Sequence, residues 1–198
     1  ITLHGLEDKL KANTKRKDKV NLATYADDFI ITGATKEILE LTVKPLVEEF
    51  IRERGLELSQ EKTLITHIND GFDFLGFNVR KYGQKILIKP AKKNVELFLE
   101  NIRGIIRKNA TAKTENLIYL LNPKLQGWGN YYRHVVSKAT FSTVDSHVFH
   151  AIWKWVKRRH PEKNTTWKLR KYFGTVKSNH WVFQAKEPYE GGSRLVRL

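Results

Sequence analysis

The sequence contains no cysteine and no methionine among its 198 residues. Without cysteine, the chain can form neither structural disulfides nor zinc sites built on thiolates. It also lacks any apolar run of about eighteen residues or more, so we expect no membrane-spanning helix and no membrane partner. Because the chain starts at Ile1 and has no methionine, we expect it to be a processed or partial piece of a longer polypeptide.

Acidic residues are scarce in the second half of the chain. Residues 90–198 contain 21 lysines and arginines but 7 aspartates and glutamates, whereas residues 1–89 contain 15 basic and 14 acidic residues. Of the formal net charge of +15, therefore, +14 lies after residue 89 and +1 before it. A basic surface rich in aromatic residues binds phosphate backbones in a salt-dependent way. An acidic protein or an anionic membrane would also suit this charge, but nucleic acid is the better interpretation.

Two adjacent aspartates, Asp27 and Asp28, lie between the apolar segments 20–24 and 29–32. Both segments are rich in β-branched and aromatic residues, so the pattern predicts a β-hairpin with the aspartates at its tip. Proteins hold Mg²⁺ with one or two carboxylates together with substrate phosphates, so the pair is a candidate metal site. By itself, however, the pair fits a solvated turn equally well, because short motifs often occur by chance.

After the aspartates, the pattern predicts a helix and then further strands. The helix should run from about Lys36 to Arg54, with Thr35 as its N-cap and Gly55 as its C-terminal cap. Pro45 should kink or divide it. Three strands are expected to follow, at residues 64–68, 72–79 and 86–88.

Beyond Pro90, which can begin a helix, the apolar spacing predicts a helical bundle. The Asn122-Pro123 step should end its second helix, because a residue before proline avoids helical dihedral angles. Gly127 and Gly129 in the third helix should mark a close backbone approach, with helix packing as the expected cause. The four helices are expected at about residues 92–108, 114–122, 124–135 and 142–159. The predicted fold class is therefore α+β: an antiparallel sheet with a packed helix, then an all-α bundle.

Several blocks of the sequence resemble one family, the reverse transcriptases encoded by group II introns. The segment Tyr25-Ala26-Asp27-Asp28-Phe29 resembles the catalytic palm block, residues 55–63 resemble the next block, and Phe74-Leu75-Gly76-Phe77 resembles the primer-grip block. Segments 121–124, 127–132 and 155–161 are similar to the thumb, or domain X, of intron maturases. The resemblance covers about residues 20–185.

The resemblance implies a division of the chain and a function. Residues 1–89 would be the C-terminal part of the palm, 90–160 the helical thumb or domain X, and 161–198 a basic extension of the maturase region. The implied protein is an RNA-directed DNA polymerase of a mobile intron, and it would also help the intron RNA to splice. Its partners would be intron RNA, an RNA template with a DNA primer, target DNA and deoxynucleotides, in a cytoplasmic (bacterial) or organellar ribonucleoprotein. The alternatives are a non-catalytic RNA-binding maturase with a scaffold palm, and a DNA-binding module without RNA preference.

The resemblance also assigns roles to residues. Asp27 would be the principal Mg²⁺ ligand and Asp28 the supporting one, with Lys62 as a general acid for pyrophosphate. The third carboxylate and the fingers domain would lie outside this chain, in the remaining N-terminal part of the same polypeptide. Asp8 and Asp18 have charged surroundings and are not candidates for that carboxylate. This piece alone should bind RNA and should not polymerise.

Most of the remaining candidate residues are expected to contact nucleic acid, and two histidines are candidates for a metal site. Those expected to contact primer or template are Tyr25, Ala26, Phe74, Leu75, Gly76 and Phe77. The alternatives are that Tyr25 fills the core of the palm and that residues 74–77 mostly belong to the core of a sheet, with Gly76 as the position that a primer backbone could approach closely. The cations expected to contact RNA are Lys92, Lys93, Arg103, Arg107, Lys108, Lys124, Arg133, Lys138, Arg158, Arg159, Lys168, Arg170 and Lys171. Trp155, Trp167, Tyr172 and Phe173 lie among these cations and suit base stacking. His147 and His150 share a helix face but lack a nearby third metal ligand in the sequence.

Overall fold

The computed structural model describes residues 3–176, 179–185 and 194–198. The chain divides into two compact units: unit 1 is Ile1–Phe74 with Arg80–Gln84, and unit 2 is Leu75–Val79 with Lys85–Leu198. The helices are α1 (Leu6–Asn13), α2 (Lys36–Ile38), α3 (Lys44–Arg52), α4 (Lys92–Lys108), α5 (Thr114–Tyr132), α6 (Lys138–Arg159) and α7 (Thr165–Tyr172). The strands are β1 (Asn21–Tyr25), β2 (Asp28–Thr32), β3 (Phe72–Phe74), β4 (Phe77–Tyr82), β5 (Lys85–Pro90), β6 (Phe173–Val176) and β7 (Asn179–Phe183). Helices and small antiparallel sheets both occur, which confirms the predicted α+β class.

The core of unit 1 forms where α1 and α3 meet. Its buried residues are Leu6, Leu10, Val43, Val47, Phe50 and Ile51. Strands β1 and β2 form a two-stranded antiparallel hairpin, and alternate residues Leu22, Phe29 and Ile31 pack against this core. Because side chains alternate along a strand, the other face of the hairpin carries Tyr25 and Asp28 away from the core.

The predicted helix after the hairpin is present, and Pro45 does divide it. A π-helical turn, Leu39–Val43, separates α2 from α3 and ends two residues before Pro45, which has no N–H for the regular helix ladder. At the start, the Ile38 N–H donates to Thr35 Oγ1 (3.4 Å), as expected of an N-cap. At the end, Gly55 has φ +71° and its N–H donates to Arg52 O, while the Leu56 N–H donates to Ile51 O. These two bonds form a Schellman cap, which confirms the role of Gly55.

The expected strand at residues 64–68 is wrong. This segment joins no sheet, and Leu64 is 78% exposed. One backbone bond, from the Lys81 N–H to Ile68 O (2.9 Å), reaches its last residue. An apolar alternation becomes a strand only when a partner completes its hydrogen bonds, and the described residues provide no partner ladder here. The single strand expected at residues 72–79 is also wrong, because a turn at Leu75 and Gly76 divides it into β3 and β4. The strand expected at residues 86–88 lies within β5, and β3, β4 and β5 are neighbours in that order in a three-stranded sheet.

Unit 2 is built on a core of α4, α5 and α6. Its fully buried members, each at most 1% exposed, are Ile102, Leu117, Ile118, Leu121, Leu125, Val144, Ile152 and Val156. Pro90 ends β5 instead of beginning a helix, and α4 starts two residues later at Lys92. The β6–β7 hairpin also packs on this core through Phe173 and Phe183, and the sequence pattern did not indicate it. Among the described residues, no helix combines the length and the apolarity needed to cross a membrane.

The predicted break at Pro123 is also wrong, because α5 runs through it without interruption. A proline inside a helix costs about 3 kcal/mol. On either side of Pro123, one face of α5 carries a fully buried leucine every four residues, at Leu117, Leu121 and Leu125. Burial of each such side chain contributes about 1.5–3 kcal/mol, so together they outweigh the proline. Asn122 adds to this, since its amide bonds both Arg194 O (3.0 Å) and the Val196 N–H (2.9 Å).

The two glycines of α5, Gly127 and Gly129, differ in how much space a side chain would have. A Cβ on Gly129 would lie 2.7 Å from Leu198 Cδ2, so this glycine does allow close packing. A Cβ on Gly127 would meet nothing within 4 Å, so the expected close approach is wrong there.

Candidate functional site

The two aspartates lie at the tip of the β1–β2 hairpin, as predicted. Tyr25 pairs with Asp28 in the antiparallel register, which leaves Ala26 and Asp27 as a two-residue turn. Ala26 has φ +54°, a left-handed conformation that costs a residue other than glycine about 1–2 kcal/mol. Strained turns of this kind tend to occur at functional sites.

Both carboxylates are exposed and available to a ligand. Neither Asp27 nor Asp28 forms an ion pair with any residue in the part of the chain that the structure describes. The neighbouring ring of Tyr25 is 65% exposed, so the alternative that this side chain fills the core is wrong. The turn therefore presents two carboxylates and one aromatic ring to solvent. Carboxylate oxygens are the ligands that Mg²⁺ prefers, so the donor chemistry of the turn fits that ion.

The described residues contain no cluster of three or more His, Cys, Asp or Glu side chains that could hold a metal. Asp27 and Asp28 therefore have no third histidine, cysteine or carboxylate grouped with them among the described residues. The ring nitrogens of the two histidines considered above have other neighbours: His147 Nδ1 lies 3.4 Å from Arg103, and His150 Nδ1 lies 2.7 Å from Ser146 O. These contacts give no support to a histidine metal site on α6.

Lys62 lies in a turn that begins at Ser59. Its N–H donates to Ser59 O (3.2 Å), and Thr63 donates to the same oxygen through both its N–H and its hydroxyl. The Lys62 side chain is exposed. The turn fixes the backbone and leaves the ammonium group free to move, and the suggested role as a general acid stays a prediction.

The Leu75-Gly76 turn, which joins β3 to β4, also has an unusual backbone. Leu75 has φ +49° and Gly76 has φ +81°. Two hydroxyl groups from the end of α5 hold it: Tyr131 donates to Leu75 O (2.8 Å), and Tyr132 donates to Gly76 O (3.0 Å). Burial raises the pKa of the Tyr132 hydroxyl, which keeps it protonated as a donor.

We call this arrangement, in which Tyr131 and Tyr132 bond Leu75 and Gly76, the tyrosine clamp. It explains why position 76 is a glycine. A Cβ on Gly76 would lie 2.9 Å from the Tyr132 hydroxyl oxygen and 3.0 Å from Asn94 Nδ2. Packing within unit 2 is therefore enough to require a glycine at this position, and a contact between Gly76 and a primer backbone stays a prediction. Phe77 completes the clamp by stacking on Tyr131, with ring centroids 5.1 Å apart. The two adjacent tyrosines after Gly129 were the signal in the sequence, but their partner could not be inferred from it.

The cations expected to contact RNA are mostly exposed in unit 2. Those with exposed side chains are Lys92, Lys93, Arg107, Lys108, Lys124, Arg133, Lys138, Arg158 and Arg170. Two other cations of this set, Lys168 and Arg159, are buried or bonded within unit 2 instead. Lys168 is 8% exposed, and Arg159 donates to Ala110 O (3.1 Å) and Ala112 O (2.8 Å). Arg159 therefore holds the α4–α5 loop, which reduces what it can offer to a ligand.

The aromatic residues expected to stack on bases are largely unavailable. Trp155, Tyr172 and Phe173 are each at most 5% exposed and belong to the core of unit 2. Trp167 is half-buried, and the ammonium groups of Lys163 and Lys171 lie 5.6 and 4.8 Å from its ring centroid. The expectation of stacking on the three buried rings is wrong, because they fill the space between helices.

His160 links the basic residues to this aromatic core. Its Nε2 lies 2.7 Å from the Tyr172 hydroxyl. Burial lowers the pKa of His160, and the nearby cations, Lys171 first, lower it further. The imidazole is therefore neutral at neutral pH and adds no charge to the basic surface.

Two family models match the chain. Residues 1–79 match the reverse transcriptase (RNA-dependent DNA polymerase) family, and residues 95–173 match the group II intron, maturase-specific domain. The chain is 31% identical over 151 residues to the group II intron-encoded protein LtrA of Lactococcus lactis subsp. cremoris, covering 60% of this chain and 25% of that protein. It is 26% identical over 117 residues to the ribosomal operon-associated A protein of Euglena longa (59% of this chain, 22% of the relative). It is 34% identical over 88 residues to protein YkfC of Escherichia coli K12 (40% and 22%). The chain thus spans about a quarter of the length of these relatives.

Proposed function

Since the chain belongs to the reverse transcriptases and maturases encoded by group II introns, we propose that it supplies part of the polymerase site and the RNA-binding thumb of such a protein. Residues 1–89 would be the C-terminal part of the palm, 90–160 the thumb or domain X, and 161–198 its basic extension. Part of that extension lies outside the described residues. The observation that carries the proposal is the strained hairpin tip with two exposed carboxylates, in the segment that matches the polymerase family.

In the polymerase reaction, Asp27 would be the principal Mg²⁺ ligand and Asp28 the supporting one. When bound, Mg²⁺ stabilises the negative charge that develops on the transferred phosphoryl group. The chain's own contribution is to place Asp27 on the two-residue turn and Asp28 next to it, at the first position of β2. Lys62 would donate a proton to the leaving pyrophosphate. A third carboxylate would come from the remaining N-terminal part of the same polypeptide.

Primer and template would contact the strained turn at Tyr25 and Ala26, and the segment Phe74–Phe77. The tyrosine clamp supports this role for the second segment, because it holds the backbone of Leu75 and Gly76 in one conformation. A primer terminus must be positioned to a fraction of an ångström for efficient transfer, so a rigid support is useful.

The exposed cations of unit 2 would bind intron RNA and help it to fold for splicing. The charge of +14 after residue 89 supports this, since neutralising phosphates releases counterions and yields affinity independent of sequence. We further propose target DNA and deoxynucleotides as partners, and a ribonucleoprotein in the cytoplasm of a bacterium or in an organelle as the location.

Primer extension tests the catalytic proposal. The protein is the polypeptide that carries this chain together with its upstream palm and fingers, assayed on an RNA template with a DNA primer and Mg²⁺. Asp27→Ala should lower the extension rate at least about a hundredfold, because removal of a ligand uncouples the metal from the developing charge. Asp70→Ala is the matched control, since Asp70 is also exposed in a turn of unit 1. Equal activity of the two variants would contradict the assignment.

A non-catalytic maturase that keeps the palm as a scaffold is the second candidate. The charge of +14 after residue 89, outside the palm segment, fits this function as well, because RNA binding by the thumb does not require the carboxylates. Such a protein would promote splicing of the intron RNA but would extend no primer at any Mg²⁺ concentration, and Asp27→Ala would leave splicing unchanged.

A further inference from the structure

A surface pocket lies in unit 2 between α7 and the β6–β7 hairpin. Its volume is about 460 Å³. Its lining includes two apolar side chains that are half-buried or buried, Leu169 and Phe173, which we call the floor, and one exposed aromatic side chain, Trp181, which we call the wall. A volume of this size is within the usual range for small-ligand pockets. We call it the Trp181 pocket.

The floor of the Trp181 pocket is closely packed against the core of unit 2. Phe173 is 5% exposed, and its ring lies 5.2 Å from that of Phe149, 6.0 Å from that of Trp153 and 5.7 Å from that of Phe183. Gly174, the next residue, is needed for close packing, because a Cβ there would lie within 2.6 Å of the Gln184 side-chain carbon Cδ. The core of unit 2 therefore supports the base of the pocket.

The wall of the pocket is an aromatic side chain that remains on the surface. Trp181 is 55% exposed, whereas Trp155 in the same unit is 4% exposed. Trp181 also has φ +59°, which is unusual for a bulky residue and costs about 1–3 kcal/mol. A strained backbone that presents an exposed indole is typical of a ligand-binding position.

The rim of the pocket is polar and carries positive charge. Arg170 is exposed in the last turn of α7, and His180 lies beside Trp181. His180 Nδ1 lies 3.3 Å from the Thr175 hydroxyl, and Arg197 donates to His180 O (3.2 Å). These two contacts orient the imidazole and its backbone. The described residues that line the pocket include no carboxylate.

We propose that the Trp181 pocket binds one unstacked nucleotide of the RNA. The base would stack on the indole above the apolar floor, and Arg170 with His180 would contact the adjacent phosphate. The lack of acidic residues on the rim favours an anionic ligand, and the flat exposed ring favours a planar one, so a nucleotide fits better than a peptide. A base within a duplex cannot reach the pocket, because both of its faces are already stacked. The proposal rests on the proposed RNA-binding function and adds to it a preference for single-stranded RNA.

The test compares two RNA probes on the full 198-residue chain. One is an RNA hairpin with a short single-stranded oligo(A) tail that contains 2-aminopurine, and the other is the same hairpin with a blunt end. The wild-type chain should bind the tailed RNA more tightly and quench the 2-aminopurine fluorescence. Trp181→Leu should weaken binding of the tailed RNA by about tenfold and abolish the quenching, because stacking on an aromatic ring contributes this much per base. Its affinity for the blunt hairpin should remain within about twofold of the wild-type value.

Further variants separate stacking from charge and from unfolding. Trp181→Phe should restore most of the affinity for the tailed RNA, since a phenyl ring still stacks. Tyr119→Leu removes a ring on α5 that is 58% exposed and should leave the preference for the tailed RNA intact. For the tailed RNA, the logarithm of the affinity falls linearly with the logarithm of the salt concentration. Arg170→Gln should make this slope shallower by about one, the contribution of a single phosphate contact.

The outcomes also separate this proposal from the proposed function. If the wild-type chain binds neither probe, RNA binding itself is contradicted, and this proposal with it. If the wild-type chain binds both probes but Trp181→Leu retains the preference and the quenching, only the nucleotide pocket is contradicted. The nucleotide pocket is also contradicted if Trp181→Leu weakens the binding of both probes equally and Trp181→Phe does not restore the tighter binding of the tailed RNA.

Discussion

Two of the hairpin turns of this protein share a backbone feature but have different surroundings. Both the Ala26-Asp27 turn of unit 1 and the Leu75-Gly76 turn of unit 2 join neighbouring strands with two residues. In each, a residue other than glycine has a positive φ, +54° for Ala26 and +49° for Leu75. The tyrosine clamp holds both carbonyl oxygens of the second turn. The carboxylates of the first turn have no ion-pair partner among the described residues.

The comparison shows two ways in which a fold stabilises a strained turn. In unit 2, hydrogen bonds of about 1 kcal/mol each offset the strain inside the protein. In unit 1, the pairing of Leu22 with Ile31 and the packing of Phe29 fix the strands, and the tip remains open to solvent. An open tip with two like charges is stabilised by a cation, so the first turn suits ligand binding and the second suits support.

The largest expected effect on stability follows from adding a methyl group at Gly76, inside the tyrosine clamp. Gly76→Ala should lower the free energy of unfolding of unit 2 by about 3 kcal/mol, because the new methyl group collides with the Tyr132 hydroxyl and φ +81° is strained for alanine. All five tryptophans lie in unit 2, so urea unfolding followed by tryptophan fluorescence reports on this unit.

The matched control is Gly127→Ala in α5. A Cβ there meets nothing within 4 Å, so alanine should raise the free energy of unfolding by about 0.5–1 kcal/mol through its helix propensity. If both variants shift stability in the same direction, the clamp does not constrain Gly76.

A smaller effect is expected from removing the hydroxyl groups of the clamp. Tyr132→Phe should destabilise unit 2 by about 1 kcal/mol, because this hydroxyl is buried and its bond to Gly76 O is protected from water. Tyr131→Phe should cost about half as much, since Tyr131 is 48% exposed and water can replace it. The same urea experiment measures both. A larger loss for Tyr131→Phe would mean that the bond to Leu75 O is the more important of the two.

The smallest effect concerns the open turn. Ala26→Gly should slow amide hydrogen exchange in β1 and β2, with a gain of about 0.5 kcal/mol, because relief of the strain slightly exceeds the entropy cost of glycine. Ala23→Gly, at an exposed and extended position of β1, has no strain to relieve and should speed exchange instead. If Ala26→Gly also speeds exchange, the Ala26 conformation is not strained.

Local chemistry predicted some elements well. The hairpin at Asp27 and Asp28 followed from two β-rich segments around a polar turn. The caps at Thr35 and Gly55 followed from their side chains and backbone freedom. Such features depend on residues a few positions apart, so a single sequence contains all the information they need.

Other elements depended on partners distant in the chain. Residues 64–68 had the alternation of a strand but no neighbour to pair with, and Pro123 was kept inside α5 by leucines that pack on α4 and α6. Trp155, Tyr172 and Phe173 were assigned to base stacking from their basic neighbours, yet their rings fill the core. Trp181, with few cations next to it in sequence, is 55% exposed.

The sequence by itself determined the α+β class, the acidic hairpin tip, the helix caps and the location of the positive charge after residue 89. Each of these depends on composition or on contacts within a few residues. Only the tertiary structure decided which aromatic rings are buried, that two tyrosines hold the Leu75-Gly76 turn, and that Arg159 supports a loop. These depend on contacts between residues 40 or more positions apart, such as Tyr132 with Gly76 (56 positions) and Arg159 with Ala112 (47 positions). Burial and hydrogen-bond partners are properties of such contacts, and the order of residues along the chain does not specify them locally.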